Sequence, residues 1–88
     1  MYKIEYNKKA VKEILKLKEI NLDKNAKNLV DLIKENPFQN PPPYEKLVGD
    51  LQGFYSRRLN IKHRLVYQVN EEKKTVRIIS LWSHYESI

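Results

Sequence analysis

The chain has 88 residues, no cysteine, and 17 Lys plus Arg against 11 Asp plus Glu, a formal net charge of +6. That length suits one domain over residues 1–88 and excludes two. The missing thiols exclude a disulfide framework or thiolate metal site, and two histidines without calcium-loop carboxylates give no reason to expect a metal. A positive balance favours a polyanionic partner: nucleic acid, an anionic surface or an acidic protein segment.

Residues 2–6 alternate Tyr2, Ile4 and Tyr6 with Lys3 and Glu5, the period of a half-buried strand. The same stretch lacks the apolar core of a secretory signal, and no apolar run approaches the ~20 residues of a membrane span. A cytoplasmic location with no membrane partner is therefore expected. Asn7 is placed as a helix N-cap. Ala10, Val11, Ile14 and Leu15 follow at helical spacing, with lysines on the other face. After a break near Ile20-Asn21, Leu22, Ala26, Leu29, Val30 and Ile33 mark a second helix. It should end by Asn36, because the residue before Pro37 is driven out of the helical region.

Residues 37–43 hold all four prolines and read as a stiff, extended spacer. Residues 53–59 and 64–69 read as strands around a turn at Asn60–His63. A polar turn over 70–74 leads into Thr75–Trp82, whose two apolar faces place it centrally in a sheet. The order β-α-α-β-β-β predicts an α+β domain: a helical hairpin on one face of a mainly antiparallel twisted sheet, with the other face free for function.

RNA carries its own nucleophile, the 2′-hydroxyl beside each phosphate. Cutting there needs a base for that proton, a cation for the charged phosphorus, and an acid for the departing 5′-oxygen. Glu45, Arg64 and His84 offer those roles from three successive segments. Each has a plainer reading: a solvated loop carboxylate, a cross-strand ion-pair partner, and an ordinary histidine near the chain end. Tyr85 is either a terminal aromatic or a ring that stacks on a base, a contact worth about 1–3 kcal/mol. Arg57 and Arg58 are adjacent on a strand, so they point to opposite faces and at most one meets a given phosphate. His63 falls in the predicted turn and reads as structural.

Glu45-Lys46-Leu47, Gly53-Phe54-Tyr55-Ser56-Arg57-Arg58, His63-Arg64-Leu65-Val66-Tyr67 and Trp82-Ser83-His84-Tyr85, in that order, resemble the Txe/YoeB family of toxins from bacterial toxin–antitoxin modules, within the RelE superfamily. The resemblance implies a microbial-ribonuclease-like sheet with two helices on one side. It also implies an endonuclease that cuts messenger RNA in the ribosomal A site and halts translation. Glu45 would be the general base, Arg64 the transition-state cation, His84 the general acid, and Tyr85 the aromatic that positions substrate. Arg58, with Lys46 and Tyr55, would bind substrate. The cut would leave a 5′-hydroxyl and a 2′,3′-cyclic or 3′-phosphate, with no metal or cofactor.

A cognate acidic antitoxin that orders on binding is implied as well, with homodimer and toxin–antitoxin hetero-oligomer both left open. The family often has a lysine three residues after the glutamate, where this chain has Val48. Lys46 replaces that charge only if the backbone bends suitably. Two other readings stand beside this one: a ParE-like gyrase inhibitor of the same fold, and a basic RNA-binding module that does not cut.

Overall fold

The alternation at the start of the chain becomes β1 (Lys3–Tyr6). The two apolar periodicities become α1 (Lys8–Glu19) and α2 (Asp23–Glu35). The architecture comes from a computed structural model and is described for residues 1–49 and 53–82. Asn7 occupies the cap of α1 through its backbone, whose carbonyl accepts from the Val11 N–H at 3.0 Å; its side chain makes no cap bond. The helices meet at Asn21, which takes φ 59°, a left-handed conformation that asparagine tolerates better than most residues. Asp23 in the first turn and Lys34 in the last turn of α2 both suit the helix dipole.

The stripe that α1 buries differs from the expected one. Ala10, Glu13 and Leu17 are buried, with Ile14 beside them, while Val11 and Leu15 face solvent. The rotation follows from Glu13, whose Oε1 accepts the Leu81 N–H at 2.9 Å. A buried backbone donor must find an acceptor, and α1 supplies one.

Four further strands follow: β2 (Glu45–Lys46), β3 (Phe54–Arg58), β4 (Arg64–Asn70) and β5 (Thr75–Ser80). They form one five-stranded sheet with β1, in the order β1-β5-β4-β3-β2. Only β1 against β5 is parallel; the other pairs are antiparallel. Three expectations are refined here. The strand β2 is additional, and β5 is interior but flanks the central strand, which is β4. The loop over 37–44 is turned rather than extended.

Alternation assigns the faces. Tyr55, Leu65, Tyr67, Val76 and Ile78 pack with α1 and α2 in the main core. Phe54, Val66, Ile79 and Leu47 gather in a small separate cluster. Phe54, Ser56 and Arg58 therefore share the helix-free face of β3, and Tyr55 and Arg57 share the helix side. Among the described residues no helix is long and apolar enough to cross a membrane.

Candidate active site

The site is assembled by register. Glu45 of β2 pairs directly with Ser56 of β3, and Ser56 pairs with Val66 of β4. Arg58 of β3 pairs with Arg64 of β4. Direct partners share a face, so Glu45, Ser56, Arg58 and Arg64 all lie on the side of the sheet without helices. Arg64 Nη1 donates to the Ser56 hydroxyl at 2.9 Å, and its Nη2 lies 3.6 Å from Glu45 Oε1. The Arg64 side chain is only 12 % exposed, whereas that of Glu45 is 56 % exposed. A cation held from below by a buried hydroxyl thus faces a carboxylate that still meets solvent.

These groups line a cavity of about 170 Å³, walled by Pro42, Pro43 and Tyr44, and floored by Ser56 and Arg57. Two guanidiniums (Arg58 and Arg64) face it against one carboxylate, Glu45, while the Arg57 guanidinium is buried on the other side of β3. Like charges directly opposite on neighbouring strands repel, and Arg58 opposite Arg64 is such a pair. An entering anion relieves that repulsion. A larger groove of about 570 Å³ lies at the other end of the sheet, with Glu5, Glu71 and Glu72 against Lys73 and Arg77. Its Arg77 sits 3.5 Å from Glu5, so it offers an anion no surplus cation. The smaller cavity is the better candidate for a phosphate.

Among the proposed site residues, Glu45, Arg64 and Arg58 come together. Lys46 and Tyr55 do not. Lys46 pairs with Tyr55, and both lie one residue out of phase with the Glu45–Ser56 pair, so they project to the opposite face. The strand runs straight through Lys46 into a Leu47 N–H bond to the Phe54 carbonyl at 2.9 Å. No bend turns Lys46 toward the site. Tyr55 is instead a core aromatic, edge-on to Phe38 at 5.3 Å and near Tyr44 and Tyr67. Val48, at the family's lysine position, is exposed. His84 and Tyr85 lie outside the described residues.

Trp82 is held by a residue of the turn before β4. The His63 ring lies 4.3 Å from that of Trp82, and His63 Nδ1 bonds the Trp82 carbonyl. The structural reading of His63 therefore stands. Ser56 was missed as a participant, because one serine inside a strand has no periodic signature; only its register with Glu45 reveals it. Among the described residues no three His, Cys, Asp or Glu side chains gather as metal ligands.

Residues 6–85 match the sequence profile of the YoeB-like toxin of bacterial type II toxin-antitoxin system. The chain belongs to this family. A curated relative, the toxin YoeB of Synechocystis, is 39 % identical over 70 residues, covering 80 % of this chain and 72 % of its own. The toxin YoeB of Escherichia coli K12 is 41 % identical over 50 residues, 53 % of this chain and 60 % of its own. The YoeB–YefM complex from Staphylococcus aureus superposes with a TM-score of 0.79 at 31 % identity, over 97 % of this chain and 99 % of the other. In this YoeB-like toxin, as the register shows, Glu45 and Arg64 are brought into contact by β2 pairing onto β3.

Proposed function

We propose that this toxin is an endoribonuclease that cuts messenger RNA in the ribosomal A site and so inhibits translation. The observation that carries the reading is the Glu45–Arg64 pair, an exposed carboxylate 3.6 Å from a guanidinium anchored on Ser56, in a cavity with surplus positive charge. Glu45 takes the 2′-hydroxyl proton, and that oxygen attacks the adjacent phosphorus. Arg64, with Arg58 beside it, stabilises the charge that develops on the phosphoryl oxygens. His84 gives a proton to the departing 5′-oxygen, leaving a 2′,3′-cyclic phosphate that hydrolyses to a 3′-phosphate. Tyr85 stacks on a base next to the cut. Trp82, two residues before His84, is clamped to His63, the neighbour of Arg64.

The toxin acts in the cytoplasm and is restrained by a cognate antitoxin whose acidic segment suits the +6 surface. The relative from Staphylococcus aureus, solved with YefM, supports such a partner, in a toxin–antitoxin hetero-oligomer. Primer extension on messages after induction tests the activity. Glu45→Gln, Arg64→Ala and His84→Gln should each cut about 10²–10⁴-fold more slowly and relieve growth arrest. Intact messages with damaged DNA would point to gyrase instead, and unchanged cutting by His84→Gln would remove the general acid.

A further inference from the structure

The proline-rich loop poses a donor problem. Four of the seven residues in 37–43 are prolines, which have no N–H to offer. The carbonyls of Pro37, Gln39 and Pro42 nevertheless turn inward, and a buried carbonyl needs a donor. Arg57 provides it. Its Nη1 donates to Pro42 O at 2.6 Å, and its Nη2 donates to Gln39 O at 2.8 Å and Pro37 O at 3.1 Å. Its Nε donates to the Tyr67 hydroxyl at 3.1 Å, which in turn donates to Pro37 O at 2.7 Å. The Tyr44 ring, centred 5.0 Å from the guanidinium carbon, covers one face of the group.

Arg57 is 1 % exposed, and among the described residues no carboxylate pairs with it. Oriented carbonyl dipoles take the place of a counter-ion. The residues it grips lead straight to Glu45: Pro42 is three positions before it, and Tyr44 is its immediate neighbour. Adjacent residues of one strand therefore hold the two halves of the site from opposite faces. Ser56 steadies Arg64 on the helix-free side, and Arg57 fastens the loop that delivers Glu45 on the other.

We propose that Arg57 is a positioning residue for Glu45, stapling the 37–44 loop to β3 so that the carboxylate meets Arg64 and the substrate's 2′-hydroxyl. The proposal rests on the reading of Glu45 as the general base. Lysine cannot substitute, because one ammonium lacks the planar fork that reaches three carbonyls at once.

A double-mutant cycle tests this. Single-turnover cleavage on programmed ribosomes is measured, over a range of ribosome concentrations, for the native toxin, Arg57→Lys, Glu45→Gln and the double variant. Misplacing a reacting group by about 1 Å can cost about a hundredfold, so Arg57→Lys should lose about that factor with its half-saturating concentration unchanged. In the Glu45→Gln background the same change should cost nothing further. Equal losses in both backgrounds make Arg57 a stability residue and overturn the proposal. Tyr67→Phe, which removes only the hydroxyl shared by Arg57 and Pro37, should follow the same pattern more weakly and serves if Arg57→Lys does not fold.

NMR supplies an arm independent of cleavage. Arg57→Lys should shift the amides around Glu45 and the Arg64 guanidinium signals while leaving α1 and β5 unmoved; unmoved Glu45 and Arg64 signals overturn the proposal. Glu45→Gln cutting as fast as the native toxin defeats the general-base reading alone, and the NMR result then decides whether Arg57 places Glu45.

Discussion

Tyr67 is where the loop and the sheet share a proton. Its hydroxyl is buried between the Arg57 guanidinium and the Pro37 carbonyl. Burial pushes its pKa above the ordinary 10.0, with the nearby Arg57 charge pulling partly the other way. Tyr6 is raised too, by burial first and then by Asp31. The folded state thus keeps these protons to a higher pH than the unfolded chain does. Stability from that source is complete below the unfolded value and falls as pH rises through it toward the folded one. Thermal melts should show a midpoint that declines above about pH 10, and Tyr67→Phe should decline less steeply from a lower start. Parallel declines would mean that this phenol does not carry the effect. Glu45 and Arg64 were legible as candidates from what RNA cleavage asks of side chains and from the order of motifs that resembles the Txe/YoeB family, whereas no periodicity brought the two together. Their support was not legible. Ser56, Arg57 and Tyr67 act through register and through a loop fold that no local pattern encodes, and Tyr55, which the resemblance put among the substrate-binding residues, is placed in the core by alternation.

At the level of elements, α1 does more than cover the sheet. Glu13 reaches from the middle of the helix to the Leu81 N–H, just past the end of β5. Helical spacing marked Ala10 and Ile14 correctly, but it counted Val11 and Leu15 as core because it weighs apolar residues alone. A glutamate with a backbone partner rotated the buried stripe. Glu13→Ala leaves a buried donor without its acceptor, a loss of about 1–3 kcal/mol. For a domain of this size, each kcal/mol lowers the melting midpoint by about 4–8 °C. Glu13→Gln retains an acceptor oxygen and should lose clearly less. Calorimetry on both variants checks this, and equal losses would mean that helix packing matters rather than the bond. The long strands were readable from their period, whereas β2, with two residues, is too short to show one. It exists because Glu45 and Lys46 find partners on β3, and that pairing is tertiary information.

For the whole molecule, the placement of charge matters more than its total. The +6 balance would attract any polyanion from a distance, yet the two ends of the helix-free face differ. At one end Arg77 is matched by Glu5. At the other, exposed Arg58 stands opposite an Arg64 already engaged by Glu45 and Ser56. A phosphate bound there releases counterions in proportion to the cations that it meets, so affinity falls linearly with salt on a log–log plot. The Glu45→Gln protein, which leaves the strand uncut, can be titrated with a short single-stranded RNA at several salt concentrations. Adding Arg58→Gln should make that slope shallower by about 0.7, the contribution of one contact to a single strand. Adding Arg77→Gln should leave it unchanged, because the charge removed is already neutralised. Equal changes from the two substitutions would show that RNA responds to net charge rather than to the pocket, and the phosphate would then have no defined seat beside Arg64.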